Sequence, residues 1–274
     1  MPELPEVETV VRALNAFLVG RRIEAVKHIS RMRLPFDLET ATRLLRKRRI
    51  ISVRRRAKYI IIECENAAGL LAHLGMTGSF RICPIQEEPA KHDRVHFRLD
   101  QGEELRFADA RRFGFVQPVT LREAGGLPVE LASLGPEPLS REFSAKSMLN
   151  HATRRKMPIK PFIMDQTVVV GVGNIYANEA LFAAGINPTR PALSLNPDEW
   201  RRLTKAIRQI LREAIKRGGS SIRTYRQVDG NEGAFQLSLQ VYGKANTPCP
   251  RCNAPLITER QSGRSTFFCG KCQI

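Results

Sequence analysis

No stretch of these 274 residues approaches the roughly 18 consecutive apolar side chains that a bilayer span needs, so no transmembrane helix is expected. Acidic residues are scarce beside basic ones, with 27 Asp and Glu against 44 Lys and Arg and a formal charge of +17. That shortage argues against acid-rich disorder and points to a polyanionic partner. The basic residues are spread over both halves rather than gathered on one amphipathic anchor, which favours nucleic acid over a membrane surface. The opening carries Glu3, Glu6 and Glu8 in place of a basic n-region, so no secretory signal is expected. Internal repeats and low-complexity tracts are also missing. What remains is an ordinary globular composition, 42% hydrophobic and 26% charged, in a chain long enough for about two domains and a small appendage.

Val7, Val10, Val11, Leu14, Phe17 and Leu18 recur at helical spacing and predict a helix over residues 3–18. Short apolar runs bounded by Gly, Asp, Asn or Pro then predict strands at Ile23–Ile29, Tyr59–Cys64, Leu70–Leu74, Arg94–Leu99 and Phe113–Val119, with one helix near 39–47. This is the pattern of a β-sandwich or barrel. Pro128, Gly135, Pro136 and Pro138 make a linker of residues 127–139. Beyond it, Asn196-Pro197-Asp198-Glu199 starts a helix whose stripe is Trp200, Leu203, Ile207, Ile210, Leu211 and Ile215, with Gly218 as its stop. Residues 218–233, rich in Gly, Ser and Asn, are read as a mobile loop, and 235–274 as a separate small module. The fold class is α+β multidomain, with expected domains at 1–135, 136–234 and 235–274.

Cys249, Cys252, Cys269 and Cys272 form two C-x-x-C pairs separated by sixteen residues. Four thiolates at this spacing suit one tetrahedral zinc ion, and four thiolates leave no open position, so the metal is expected to be structural. The alternative is a pair of disulfides, which a chain without an export signal disfavours. Cys64 and Cys83 read as thiols without a role. Between the cysteine pairs, Ser262-Gly263 is a turn that presents Arg264 at a hairpin tip, or leaves it an ordinary solvated arginine.

The start Met1-Pro2-Glu3 has a chemical reading and a bland one. Removal of Met1, expected because Pro2 is small, leaves a secondary amine. An α-amino group with a pKa of about 7.7–8.0 is partly neutral at physiological pH and can attack an aldehyde carbon to form an iminium. Glu3 would be the adjacent proton donor. Alternatively, Pro2 and Pro5 only stiffen the approach to the first helix.

Taken in order, several motifs resemble one family over the whole chain. They are Met1-Pro-Glu-Leu-Pro-Glu-Val-Glu-Thr9, Arg-Ala-Lys58-Tyr, His73-Leu-Gly-Met76, Lys91-His92-Asp93, Asp109-Ala-Arg-Arg-Phe113-Gly, Lys160-Pro-Phe-Ile-Met-Asp165, Gly171-Val-Gly-Asn174-Ile-Tyr-Ala-Asn-Glu179 and the cysteine module with Gly263-Arg264. The family is the bacterial formamidopyrimidine-DNA (8-oxoguanine-DNA) glycosylases. The resemblance implies an N-terminal helix with a β-sandwich, a helical domain with a helix–two-turn–helix, and a zinc ribbon.

It implies Pro2 as nucleophile, Glu3 as proton shuttle, Lys58 as a phosphate-contacting lysine that assists proton transfer, and Glu6 as an acid near the site. His92, Arg111, Arg155 and Asn174 would contact DNA, and Lys160 would lie near the lesion phosphate. Met76, Arg111 and Phe113 would fill the gap left by an everted base. Arg264 would grip phosphates and assist elimination.

The implied activity is removal of oxidised purines from duplex DNA followed by strand cleavage through β,δ-elimination. The implied partner is damaged double-stranded DNA, with one structural Zn2+, no membrane and no obligate protein partner, in a monomer of the bacterial cytoplasm that associates with the nucleoid. Two alternatives are an endonuclease VIII-type enzyme for oxidised pyrimidines and a noncatalytic zinc-ribbon nucleic-acid binder.

Overall fold

Apolar spacing and a Pro5 in the first turn, where a missing N–H costs nothing, give helix α1 (Leu4–Leu18). It buries Leu4, Val7, Val10, Val11, Leu14 and Leu18. The computed structural model describes residues 2–123, 125–220 and 238–274. Met1 and most of the segment read as a mobile loop lie outside the described residues. The chain divides into two compact units, Met1–Ala132 with Gly218–Gly233, and Ser133–Arg217 with Ala234–Ile274.

In the first unit, α1 is followed by β1 (Ile23–His28), α2 (Leu38–Leu45), β2 (Ile50–Arg56), β3 (Tyr59–Cys64), β4 (Ala68–His73), β5 (Gly78–Pro84), β6 (Asp93–Leu99), β7 (Glu103–Asp109) and β8 (Phe115–Thr120). Two antiparallel four-stranded sheets result, ordered β1-β6-β7-β5 and β2-β3-β4-β8. Their inner faces and α1 share one core that includes Val7, Leu14, Ile60, Ile62, Phe97 and Phe107.

Strands β2, β5 and β7 escape the sequence pattern because polar side chains interrupt their apolar runs. In β7, Glu104 and Arg106 are themselves buried, and the Arg106 Nε donates to Glu104 Oε2 at 2.9 Å. The strand expected from Phe113 begins at Phe115 instead. Arg112 has φ +60, a left-handed backbone that no strand accommodates.

The second unit holds α3 (Ala145–Ala152), α4 (Ile159–Met164), α5 (Asn174–Ala184) and α6 (Pro197–Lys216). The two turns between α4 and α5 are organised by Gln166, whose Oε1 accepts the Gly171 N–H at 2.9 Å and whose Nε2 donates to the Met164 carbonyl at 3.1 Å. Helix α6 opens with a reciprocal cap. Asn196 Oδ1 accepts from the Glu199 N–H at 2.9 Å, and Glu199 Oε2 accepts from the Asn196 N–H at 2.8 Å. The last strands are β9 (Ile257–Gln261) and β10 (Arg264–Phe268), a hairpin whose Phe267 packs against a buried cluster of Phe182, Val241, Cys249, Leu256 and Cys269.

Candidate active site and metal centre

Pro2, Glu3 and Glu6 are all buried at the start of α1. Glu6 reaches back so that its Oε2 accepts the Glu3 N–H at 2.8 Å. Its other oxygen accepts from Ser220, at 2.7 Å from the backbone N–H and 3.0 Å from the hydroxyl. Gly219 permits this approach. It has φ +82, and a Cβ there would stand 3.0 Å from Glu6 Cγ and Oε1. The Glu6 carboxylate thus ties the residue after Pro2 to a segment more than two hundred positions away in sequence.

Lys58 is buried in the two-residue turn between β2 and β3, after Ala57 at φ +56. The arginines before it, Arg54, Arg55 and Arg56, close β2. Two of them pair with buried or half-buried acids. Arg55 Nε donates to Glu8 Oε2 at 2.8 Å, and Arg54 donates to Glu63 Oε2 at 3.1 Å and to the Gly125 carbonyl at 2.7 Å. Opposite Tyr59 on β4 stands His73. Burial, reinforced by the Lys58 charge, pushes the His73 pKa down to about 4. Its Nδ1 accepts the Gly75 N–H at 3.0 Å, which assigns the proton of the neutral ring to Nε2.

The β4–β5 turn carries Met76, half-buried, and the loop after β7 carries Arg111 and Phe113, both exposed. The Arg111 guanidinium lies over the Phe113 ring, 4.9 Å from its centroid. His92 is exposed just before β6, and its carbonyl accepts the Asp109 N–H at 3.0 Å. Cys64 and Cys83 are buried, and burial pushes the Cys64 thiol up to about 12, the state of an inert core residue.

In the second unit, Cys249, Cys252, Cys269 and Cys272 bring their sulfurs within 4.8 Å of one another. The Cys249–Cys272 and Cys252–Cys269 separations are 3.9 and 3.5 Å. A tetrahedron with Zn–S of about 2.3 Å has sulfurs about 3.8 Å apart, so the four residues fit one zinc ion. The Arg251 N–H donates to the Cys249 sulfur at 3.4 Å. The buried Gln273 accepts the Cys269 N–H at 2.9 Å and donates to the Ile186 carbonyl at 2.9 Å, fixing the second knuckle.

Between β9 and β10, Ser262 and Gly263 have φ +48 and +77, the two left-handed residues of a tight hairpin turn, and Arg264 follows them exposed. The next carbonyl, Ser265 O, accepts from Asn174 Nδ2 at 3.0 Å and from Lys160 Nζ at 2.8 Å. Lys160 is no surface cation. It is 1% exposed, and its ammonium also donates to Thr266 Oγ1 at 2.8 Å, so it ties α4 to the hairpin that carries Arg264. Arg155 is exposed after α3.

Sequence reasoning left Asn178, Glu179 and Asp109 without roles. Asn178 Oδ1 accepts the Phe267 N–H at 2.7 Å, and Glu179 accepts three successive N–H groups, from Gln240, Val241 and Tyr242, at 2.8–2.9 Å. Asn174 and Asn178 at four-residue spacing, with Glu179 beside them on a helix of otherwise mostly apolar residues, were the available signal for a polar docking face.

Comparison with known proteins places this geometry in a lineage. Family models match in sequence order: the formamidopyrimidine-DNA glycosylase N-terminal domain over residues 1–116, the formamidopyrimidine-DNA glycosylase helix–two-turn–helix domain over 134–226, and a zinc finger found in that glycosylase and in isoleucyl-tRNA synthetase over 247–274. A formamidopyrimidine-DNA glycosylase of Pectobacterium atrosepticum is 46% identical over 275 residues, covering both chains fully. The crystal structure of the MutM (Fpg) protein from Thermus thermophilus superposes with a TM-score of 0.88 at 42% identity, over 99% of this chain and 98% of that one. The Lactococcus lactis Fpg bound to DNA containing an abasic site superposes with a TM-score of 0.88 at 35% identity, over 99% of each chain. The chain therefore belongs to the formamidopyrimidine-DNA glycosylase family, and its four cysteines are that family's zinc finger.

Proposed function

We propose that this glycosylase excises oxidised purines, 8-oxoguanine and formamidopyrimidines, from duplex DNA and then cleaves the strand as an abasic-site lyase. The observation that carries the reading is the setting of the chain start: a buried Pro2-Glu3 whose backbone Glu6 holds at 2.8 Å. A base inside a duplex is beyond reach, so the nucleotide is turned out at a few kcal/mol of lost stacking. Met76, Arg111 and Phe113 occupy the gap.

With Met1 removed, the Pro2 nitrogen lone pair forms a bond to C1′. The bond from C1′ to the base breaks, its electrons leaving with the base, which takes a proton. The nitrogen then loses its proton and the C1′–O4′ bond opens, Glu3 giving O4′ a proton, to leave an iminium. That iminium acidifies the C2′ proton. Its loss expels the 3′ phosphate, and a second elimination expels the 5′ phosphate. Lys58 assists proton transfer at the phosphate.

Asn174, His92, Arg155 and Arg264 hold DNA phosphates. Lys160 serves by supporting the Arg264 hairpin. The zinc ion, when bound, supplies no chemistry beyond folding the ribbon. The enzyme acts as a monomer on damaged double-stranded DNA at the bacterial nucleoid. Residues 1–135, 136–234 and 235–274 are its catalytic, helix–two-turn–helix and zinc-finger domains.

The test is a nicking assay on a duplex with one 8-oxoguanine, with borohydride to reduce the iminium and trap the adduct. Expected is cleavage, with a covalent adduct at Pro2 that Pro2→Gly removes. An adduct at Lys58 would assign the wrong nucleophile. Cleavage only at oxidised pyrimidines would make this an endonuclease VIII-type enzyme, and tight binding without cleavage at any lesion would make it a binder.

A further inference from the structure

The Asp109 carboxylate is 1% exposed and holds both ends of one loop. Its Oδ1 accepts from the Thr77 hydroxyl and from the Arg111 N–H at 3.2 Å, and its Oδ2 accepts from the Gly114 N–H at 2.7 Å. Thr77 Oγ1 accepts the same Arg111 N–H at 3.0 Å. The Asp109 carbonyl is gripped in turn by Arg94, through Nε at 3.0 Å and a terminal guanidinium nitrogen at 2.8 Å. The other terminal nitrogen donates to Ser30 Oγ at 2.6 Å. Arg94 is itself buried, a guanidinium withdrawn from water to hold one peptide carbonyl and one hydroxyl.

Two further observations lie along this line. The β4–β5 turn and the 109–114 loop touch backbone to backbone, since a Cβ on Gly75 would stand 2.4 Å from Gly114 N and 2.5 Å from Phe113 C. Between the two N–H groups held by Asp109 sits Arg112 at φ +60, a conformation that persists only where the surroundings over-determine it.

The geometry points to a positioning clamp. Asp109, backed by Arg94 and latched by Thr77, fixes the Arg111–Phe113 loop against the Met76 turn before DNA arrives, and so sets which base opposite the lesion is accepted. The inference rests on the reading of Met76, Arg111 and Phe113 as the residues that enter the duplex. A preset loop spares the ordering that a loose one would undergo on binding. Arg111 offers only donors, which match the adjacent O2 and N3 acceptors of an orphaned cytosine and not the acceptor–donor edge of adenine. The clamp keeps the Arg111 backbone in one place, and discrimination follows from that. The amine chemistry at Pro2 is not part of it.

The experiment compares the zinc-loaded full chain with Thr77→Val, Thr77→Ser, Asp109→Asn and Arg111→Ala. Two quantities are read: kcat/KM for 8-oxoguanine excision opposite cytosine and opposite adenine, and the rate of borohydride trapping on a duplex with a preformed abasic site. Loss of one buried hydrogen-bonding partner is expected to lower excision opposite cytosine by about tenfold in Thr77→Val. The cytosine preference should shrink several-fold, with trapping within about twofold of wild type. Thr77→Ser should restore both. Asp109→Asn, which sets an amide N–H against a backbone N–H, should show the same pattern more severely.

Wild-type rates and preference in Thr77→Val would overturn the clamp, as would trapping slowed as much as excision, which marks general damage. If Arg111→Ala shrinks the preference and Thr77→Val does not, the clamp alone falls. An unchanged preference in Arg111→Ala removes the reading on which the clamp stands.

Discussion

A lysine ammonium taken out of water must find acceptors or lose its charge. Lys160 finds Ser265 O and Thr266 Oγ1, both on β10. Lys160→Met leaves the buried Thr266 Oγ1 without this donor, while Ser265 O keeps Asn174 Nδ2, a loss of about 1–3 kcal/mol. The expected outcome is a lower unfolding midpoint and faster zinc release to a chelator than in wild type, and a chelation rate equal to wild type would deny the tie.

His73 gives a pH dependence of definite sign. Its folded pKa, about 4, lies below the ordinary 6.5, so the unfolded chain binds the proton more readily between these values. Stability from this residue is therefore complete above about 6.5 and falls as pH drops toward 4, by at most about 1.4 kcal/mol per pH unit. His73→Asn should flatten the acid limb of unfolding free energy against pH in that window, measured by denaturant titration. A limb of unaltered slope would mean that His73 is not buried as a neutral ring.

Elements whose apolar residues repeat at one period are legible in the sequence, and elements whose polar residues find partners far along the chain are not. Helices α1 and α6 and the four-cysteine ribbon fall in the first group, because spacing, caps and C-x-x-C pairs are all local signals. Strand β7 falls in the second. Glu104 and Arg106 interrupt its pattern, and only the folded sheet brings the Glu87 and Glu88 carbonyls to the Arg106 guanidinium and His96 to Glu104. The same holds at the candidate site. Pro2, Glu3 and Arg264 are proposed through motif and turn chemistry, whereas the part proposed for Asp109 depends on Thr77, 32 positions away.

The ribbon itself is too small to fold on burial alone, so metal binding supplies its folding free energy. Cys249→Ser, or a strong chelator, should release zinc and abolish tight DNA binding while the far-UV signal of the β-sandwich persists. Metal-free protein that binds DNA as tightly as the holoprotein would show that the ribbon is dispensable.

At the scale of the whole molecule, a charge of +17 makes association with DNA depend on salt. Each phosphate neutralised contributes a slope of about −0.9 in log K against log salt. Arg155, exposed after α3, should carry one such contact. Arg155→Ala is expected to weaken binding and flatten the slope by about 0.9, with lesion preference unaltered. A slope equal to wild type would mean that this arginine faces away from the duplex.

The Glu6–Ser220 tie has a consequence in time. The first turn of α1 is among the first residues synthesised, but the partner that completes it is 214 residues behind. Until Ser220 has been made and has folded back, the carboxylate behind Glu3 lacks its bonds to the Ser220 N–H and hydroxyl. The start of α1 in a nascent chain thus stays in an unfinished setting for most of translation, and this end of the molecule is completed only when nearly all of the chain exists.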